Sequence, residues 1–366
     1  MIRILHCADA HIDTPFSGCF AKEAKSRRDA LMTAFSKTVE AARYARVQLF
    51  LIAGDLFDSA TVDFNTLSAL AREMGSLPEC KFVIAPGNHD PYISGGAYDA
   101  TEWPSNVYIF KSKEVSKFSF DELDVDVYGY AFEDSAMREC PLENFMPDDL
   151  RKLNIVVAHG DTEDMFSNYC PIRTRLLDSL PVDYVALGHI HKGANDYNGE
   201  KYAYSGCLSG RALDETGKKG FIIGELDKGS RKMKFCPLSG KRFEIASLDV
   251  TPYATEKEID EAVYRLVKSY DADTTLRLVL KGSLTSELES YSVKQNASDE
   301  VEKLETVDET VSQIAYSDLA DNMTVKGAVF AKLRPYLESD DKNLREKGKL
   351  ALKYVLSALS GQNDFT

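Results

Sequence analysis

Five of the six histidines in this chain lie in short polar turns that also contain aspartate, asparagine or glycine. Imidazole and carboxylate ligands without thiolate suit manganese, iron or zinc better than calcium or a thiolate-bound zinc. Random placement would not concentrate histidines in this way, so the pattern predicts a metal centre. Four turns contain these histidines: Asp9-Ala10-His11, Gly87-Asn88-His89-Asp90, His159-Gly160-Asp161 and Gly188-His189-Ile190-His191. A fifth turn, Gly54-Asp55, has an aspartate and no histidine.

Transition-metal ions with ligands of this kind can act as a pair. Two such ions about 3.5–4 Å apart form the clamp that proteins use for in-line displacement at phosphorus. The clamp needs one carboxylate shared between the ions, and Asp55 is the natural candidate because the preceding Gly54 lets the backbone approach closely. The pattern therefore indicates a two-metal phosphoesterase centre.

The polar turns directly follow short apolar runs, which are typical of buried strands. Two stretches between the runs, residues 28–47 and 65–74, have apolar residues at helical spacing. Strand and helix alternate, which predicts an α/β core with helices over the sheet faces. In open α/β sheets ligands bind beyond the carboxyl ends of the strands, so the turns should meet at one edge. The predicted strands are Ile2–Cys7 and residues 49–53, 81–85, 125–130, 155–158 and 184–187, with further strands within 202–226 and 233–243.

The order of the motifs, D-x-H, G-D-x-x-D, G-N-H-D, H-G and G-H-x-H, resembles the calcineurin-like metallophosphoesterase superfamily. More narrowly, the chain is similar to the SbcD-type bacterial DNA repair exonucleases. The resemblance implies a sandwich of β-sheets flanked by helices, followed by a smaller α+β capping domain and a helical tail. It also implies a manganese-type phosphodiesterase that acts on DNA with an SbcC-type coiled-coil ATPase. The segments that carry the narrower match are residues 6–11, 53–58, 204–206 and 215–221.

The same resemblance implies a role for each polar residue. Asp55 would bridge two divalent ions, for which manganese is expected and iron or zinc is also compatible. The first ion would be held by Asp9, His11 and His191, and the second by Asn88, His159 and His189. The family counterpart of His89 contacts the scissile phosphate and helps to protonate the leaving oxygen, a general-acid role.

Three further polar residues lie near these motifs. Asp58 is expected close to the site, where it would either orient a ligand histidine or a water, or cap its loop. Asp90 either supports a ligand in the same way or caps its loop. His6 lies inside the first predicted strand, and we expect a buried, hydrogen-bonded histidine there.

The whole sequence is predicted to form three regions. They are a nuclease domain over 1–245, a small α+β capping domain over 246–322 and a helical tail over 323–366. A capping-box pattern, Thr255-x-x-Glu258, begins a helix in the second region. Residues 284–310 fit either a short helix or a strand. The tail has two helical stretches within residues 324–360, separated near Pro335 and Asp340-Asp341. It either folds back on its own domain or forms a partner-binding arm.

Composition limits the location and the substrate. The first ten residues contain Arg3 and Asp9 and no signal-peptide core, and no apolar run reaches the roughly 18–20 residues that span a bilayer. We therefore expect a cytoplasmic protein without a membrane partner, and a homodimer is compatible with the sequence. The net charge of −14 does not attract nucleic acid. A small-molecule phosphodiesterase or phosphatase is accordingly the alternative to the nuclease, and a non-catalytic scaffold is a third interpretation.

Overall fold

Two β-sheets carry the polar turns in the computed structural model, which describes residues 1–285, 288, 291–312, 325–339 and 341–359. Contacts within the chain separate two compact units, Met1–Glu244 and Ile245–Thr366. Both sheets that carry the turns belong to the first unit.

The first sheet has six strands. Four of them, β1 (Ile2–Cys7), β2 (Leu49–Ile52), β3 (Lys81–Ile84) and β4 (Val107–Ile109), run parallel in that order. On the other side of β1 the sheet continues with two antiparallel strands. β10 (Gly220–Asp227) pairs with β1, and β11 (Ser230–Pro237) pairs with β10.

The second sheet has five strands, and four of them are parallel. Its order is β5 (Ser116–Phe120), β6 (Val125–Gly129), β7 (Leu153–His159), β8 (Tyr184–Gly188) and β9 (Tyr202–Tyr204), with β5 antiparallel to its neighbour. The carboxyl ends of β7 and β8 therefore lie at the same edge, as parallel strands require.

Alternation of side chains along the strands builds a layered core. Ile4 of β1 packs with Ile155 of β7 between the two sheets. Leu5, its neighbour in β1, faces the other way and packs with Phe35 of helix α1 (Ala21–Ala45). Helix α2 (Phe64–Gly75) covers the same face, and α3 (Thr174–Ser179) covers the outer face of the second sheet. The result is a helix–sheet–sheet–helix sandwich, which confirms the predicted fold class.

Local signals explain where the elements begin and end. Helix α2 begins after Asp63, whose carboxylate accepts hydrogen bonds from the amides of Asn65 and Thr66. Helix α1 ends at Ala45, and the residue that caps it, Arg46, adopts a left-handed conformation with φ of 53°. This helix begins at Ala21, seven residues before the predicted start, because its first turns are polar and show no helical apolar pattern.

Two strands of these sheets, β4 and β5, were absent from the sequence prediction. Strand β4 has only three residues. Strand β5 lies at a sheet edge, where its exposed serines and lysine interrupt the apolar pattern. A short 3₁₀-helix, Asp121–Leu123, connects β5 to β6.

The second unit contains a three-stranded sheet in the order β12 (Arg242–Asp249), β13 (Thr274–Lys281) and β15 (Lys303–Asp308). Helix α4 (Glu256–Val267) begins with the predicted capping box, in which the side chains of Thr255 and Glu258 bond each other's backbone amides. Residues 284–310 include both a helix and strands, which resolves the open alternative. The helix is α5 (Gln295–Ser298) and the main strand is β15; β14 (Ser283–Leu284) begins the range and pairs with β16 (Val311–Ser312), which lies just beyond it.

Two helices, α6 (Val325–Leu337) and α7 (Lys342–Leu359), occupy the tail and pack against each other around Phe330, Leu337 and Leu352. Gly348 permits this approach, because a Cβ there would lie 2.9 Å from Cβ of Tyr336. The chain leaves the helical path after Leu337, two residues beyond Pro335. The predicted boundary at 322–323, Asp340 and the predicted helix limits at 324 and 360 lie outside the described residues. No helix in the described ranges is long and apolar enough to cross a membrane.

Candidate metal centre

Every strand that ends in a predicted polar turn delivers that turn to one edge of the sandwich. Within the part of the chain that the structure describes, three sets of acidic and histidine side chains place ligand atoms within 4.8 Å of one another. Two of the sets contain only predicted ligands, and the third adds Asp58 and His89. The sets are Asp9, His11 and His191; Asp9, Asp55 and His159; and His11, Asp58 and His89.

The Asp55 carboxylate lies between the first two sets. Its Oδ2 is 3.8 Å from Nε2 of His11 and 3.5 Å from Nε2 of His159. Its Oδ1 accepts a hydrogen bond of 2.9 Å from the amide of His89. Burial raises the pKa of this carboxyl group, but the surrounding histidines hold the pKa below its ordinary value. A charged oxygen therefore faces both histidines, as a shared ligand must.

His159 presents an unprotonated nitrogen to the second set. Its Nδ1 lies 2.9 Å from the carbonyl oxygen of Ala53, which can only accept, so Nδ1 carries the proton. In the neutral ring Nε2 then has a lone pair, and it points at Oδ1 of Asn88 at 2.9 Å. Asp55 Oδ2 is the third acceptor at this point. Three converging acceptors repel one another, and a cation between them removes the repulsion.

His191 is oriented in a similar way in the first set. Its Nδ1 donates to Oε1 of Glu215 at 2.7 Å, and its Nε2 lies 3.1 Å from Nε2 of His11. Burial lowers the pKa of His191, but the Glu215 carboxylate outweighs burial and raises it. Burial alone would raise the pKa of Glu215, but the bonds to His191 and Arg211 hold it well below its usual range. A carboxylate that fixes a histidine in this way is common behind metal ligands.

Arg211 links Asp58 to Glu215 and was missed by the sequence analysis. Its guanidinium donates to Oε1 of Glu215 at 2.7 Å and to Oδ1 of Asp58 at 2.7 Å. The same Asp58 oxygen lies 3.2 Å from Nδ1 of His11, a contact that orients the ring of this predicted ligand. Glu215 appeared in the sequence only as part of a motif match, and no spacing rule connects Arg211 to Asp58, 153 residues away.

His189 lies beside the two sets rather than within them. Its amide donates to both oxygens of Asp9, at 3.0 and 3.2 Å, and so joins the end of β8 to the end of β1. Its ring contacts that of His159 edge-on, with centroids 5.3 Å apart. Its Nε2 is 3.8 Å from Oδ2 of Asp161.

His89 is exposed at the mouth of the centre. Its Nδ1 lies 3.2 Å from the carbonyl oxygen of Asp58, and its ring centroid is 4.8 Å from that of His11. Because the carbonyl can only accept, Nδ1 carries the proton and Nε2 remains available toward solvent.

Asp90 is buried and binds the turns on both sides of the centre. Its carboxylate accepts from the amides of Asp55 and Gly87 at 3.1 and 2.7 Å, and from the hydroxyl of Tyr98 at 2.6 Å. Burial, and then the charge of Asp55, raises the pKa of Asp90 to about 7. Asp90 therefore caps these turns, and one of the amides that it binds belongs to Asp55, the predicted shared ligand.

His6 is a structural histidine, as predicted. It is fully buried, and its two nitrogens lie 2.9 Å from the hydroxyl of Tyr184 and 3.1 Å from the carbonyl of Leu187. Burial lowers its pKa to about 3, so the ring is neutral at physiological pH.

The backbone at the centre is held in conformations that few residues adopt. Asp9, His11, Asp55 and His189 have φ values of 50°, 44°, 48° and 111°. Such strain persists where the surrounding structure fixes it, and it is common at functional sites. Gly54 has φ of 86°, and a Cβ there would lie 2.2 Å from Nδ1 of His159. The close approach expected at this glycine is therefore confirmed.

Comparison with known proteins agrees with this geometry. Residues 2–193 match the family model described as calcineurin-like phosphoesterase. An uncharacterized metallophosphoesterase, YhaO of Bacillus subtilis, is 30% identical over 298 residues, which cover 77% of this chain and 69% of that protein. The DNA double-strand break repair protein Mre11 of Methanopyrus kandleri is 24% identical over 323 residues, covering 81% of this chain and 69% of that protein.

Proposed function

This chain belongs to the calcineurin-like phosphoesterase family, and we propose that it is a manganese-dependent DNA nuclease of the SbcD type. The family match supports a metal-dependent phosphodiesterase. The observation that carries the proposal is the convergence of acceptor atoms on Oδ2 of Asp55, with His11 on one side and His159 on the other. A diester phosphate bound across two cations at this point would have its charge neutralised from both sides.

The ligand assignment follows the two sets around Asp55. Asp9, His11 and His191 would hold one ion, and Asn88, His159 and His189 the other. The residues fit divalent transition metals because the donors are imidazole, carboxylate and amide oxygen, with no thiolate. The fixed tautomers of His159 and His191 support the fit, since both present a lone pair at Nε2. Manganese is the proposed ion, and iron and zinc would suit the same donors.

The protein's own residues would position the histidines of the site and supply a proton to the leaving oxygen. Bound cations neutralise phosphate charge and favour attack by water. As a general acid His89 would have to be the imidazolium, protonated on both nitrogens: Nε2 would pass its proton to the leaving oxygen, and Nδ1–H would stay on the Asp58 carbonyl. Asp58 would act on the reaction by positioning His11 through its carboxylate and His89 through its backbone.

Glu215 would act through His191. Replacement by Gln removes the negative charge that holds Nδ1–H, so Glu215→Gln is expected to weaken metal binding about 10–100-fold. A metal titration of the purified variant measures the effect, and Glu225→Gln, a residue of β10 outside the metal centre, is the matched control. Unchanged metal affinity in the Glu215 variant would show that this carboxylate does not support a ligand.

DNA is the proposed substrate because the similarity to the Mre11 repair protein extends over 81% of this chain, well beyond the phosphoesterase match. The acidic balance of the chain, −14, favours the alternative of a small-molecule phosphodiesterase or phosphatase. Both interpretations use the same metal centre, so only substrates separate them.

Three substrates assayed side by side with Mn²⁺ test the proposal: single-stranded DNA, hairpin DNA and bis(p-nitrophenyl) phosphate. We expect cleavage of the chromogenic ester and of at least one DNA, with DNA binding that weakens as salt is raised. If the ester is cleaved while every DNA remains intact, also with the ATPase present, the small-molecule interpretation replaces the nuclease.

The tail is the proposed contact for a coiled-coil ATPase of the SbcC type. Helices α6 and α7 bury one face against each other and leave Tyr336, Leu344 and Leu350 between 40% and 51% exposed. Exposed apolar residues on neighbouring helices suit a helix of another protein. Such a contact would explain why these side chains are not covered within the described residues.

A substitution in this exposed surface distinguishes two interpretations of the tail: a partner-binding arm, and a segment that packs only on its own chain. Leu350→Asp is expected to abolish co-purification with the ATPase and to leave the thermal midpoint unchanged, because the side chain is half exposed. Leu352→Ala is the control: it is buried, so the midpoint should fall, as expected for a loss of about 2–5 kcal/mol of unfolding free energy. Co-purification that survives Leu350→Asp would contradict the arm.

A further inference from the structure

The loop of residues 162–169, after the His159-Gly160-Asp161 turn, exposes three large apolar side chains. Phe166 is 95% exposed, more than any other large apolar residue in the described ranges, and Met165 and Tyr169 are exposed beside it. Single exposed apolar residues are ordinary on protein surfaces. Three within five residues, next to a candidate active site, require a specific explanation.

Hydrogen bonds to Asp161, just before the loop, and to Asp164 within it support its backbone. Asp161 accepts hydrogen bonds from the amides of Glu163 and Asp164, and Asp164 accepts one from the amide of Phe166 at 2.8 Å. The amide of Asp161 in turn bonds the carbonyl of Tyr169 at 3.1 Å, which closes the base of the loop. Phe166 is thus displayed on a supported turn.

The base of the loop lies directly against the metal centre. The ring of Tyr169 is 5.1 Å from that of His189, centroid to centroid, at an interplanar angle of 43°. Asp161 follows His159 by two residues and approaches His189 at 3.8 Å. Three residues of chain span at most about 10 Å, so Phe166 lies within that distance of Tyr169 along the backbone.

The charge of the loop selects the part of a substrate that it can contact. Residues 162–169 include Glu163 and Asp164, both exposed, and contain no lysine or arginine. These carboxylates repel a phosphate backbone. The aromatic rings instead suit an uncharged, flat group, and every nucleobase offers such a face.

We propose that Phe166, with Tyr169 at the base of the loop, forms a stacking surface for a nucleobase beside the scissile phosphate. This inference rests on the proposed nuclease function and specifies how that function selects its substrate. The loop binds the base of one nucleotide while the metal centre holds the adjacent phosphate. Stacking tolerates any base, so cleavage requires an unpaired nucleotide rather than a particular sequence.

Phe166→Ala tests the stacking surface with little risk to folding, because the side chain is almost fully exposed. Loss of stacking of about 1–3 kcal/mol corresponds to a rise in KM of about 5–150-fold for a single-stranded oligonucleotide, with kcat largely unchanged. Phe166→Trp should restore the wild-type KM. An oligonucleotide with 2-aminopurine beside the cleaved bond gives a second readout, since wild-type protein should quench its fluorescence and Phe166→Ala should not.

Two controls make the effect specific. Tyr44→Ala removes an aromatic side chain that is 92% exposed at the end of α1. The next residue, Ala45, accepts a hydrogen bond from Arg3 near the start of β1, at the end of the strand opposite the metal centre. An oligonucleotide that is abasic around the cleaved bond should raise KM for the wild type and show no further rise with Phe166→Ala.

The outcomes distinguish this inference from the function on which it rests. Equal KM for wild type and Phe166→Ala on the base-containing strand, or the same rise with Tyr44→Ala, overturns the stacking surface while the nuclease stands. Hydrolysis of bis(p-nitrophenyl) phosphate without cleavage of any oligonucleotide overturns both the nuclease and the stacking surface.

Discussion

Asp55→Asn is expected to reduce hydrolysis of every phosphodiester by at least about 10³-fold, equivalent to several kcal/mol of lost charge stabilisation. The substitution keeps the size of the side chain and an acceptor for the amide of His89, but it removes the charge that faces His11 and His159. Because both proposed ions would share this carboxylate, the variant should lose the function of both sites.

Metal content and stability accompany the activity measurement. The metal-free variant should fold, but no more stably than the metal-free wild type, because the lowered pKa of Asp55 means that the folded protein favours its charged form. Asp183→Asn is the matched control, because this buried carboxylate also accepts a hydrogen bond from a backbone amide, that of Asn154. Asp183 precedes β8 and His189 follows β8, so the control lies at the other end of that strand from the metal centre. An Asp55→Asn enzyme with wild-type hydrolysis would exclude the shared-ligand arrangement.

His89→Ala is expected to lower hydrolysis about 10²–10⁴-fold while metal content stays at the wild-type level. His89 is exposed, and the Asp58 carbonyl contacts its Nδ1, which leaves Nε2 for a substrate. A substrate with a good leaving group needs little protonation, so bis(p-nitrophenyl) phosphate should be affected least.

The geometry also contains the competing explanation for His89. His11, Asp58 and His89 place ligand atoms within 4.8 Å of one another and would form an alternative metal site. In that case metal content would fall together with activity in His89→Ala, and the loss would be equal for good and poor leaving groups. Metal analysis of the variant therefore distinguishes a proton donor from a ligand.

The sequence predicted the strands and turns of the first unit well because both have strong local signals. Strand β1 was predicted with its observed limits, and Gly54 indicated the close approach to His159. The convergence of turns at one edge followed from the parallel order of the strands, a general property of such sheets.

What the sequence missed depends on contacts between distant segments. Arg211 joins Asp58 to Glu215 only because the fold brings residues 153 positions apart into contact. The role of Asp90 in joining two turns has the same origin, since its partners Asp55 and Phe57 lie more than 30 residues away. Loop 162–169 carries no motif, and its aromatic residues gain significance only from the ring contact between Tyr169 and His189.

Metal stoichiometry measured together with hydrolysis tests the central claim most directly. Metal-free protein would be titrated with Mn²⁺, and bound metal and the rate on bis(p-nitrophenyl) phosphate would be measured at each step. The two-metal centre predicts two ions per chain and a rate that rises with the second ion. Full hydrolysis with a single bound ion, or with none, would contradict it.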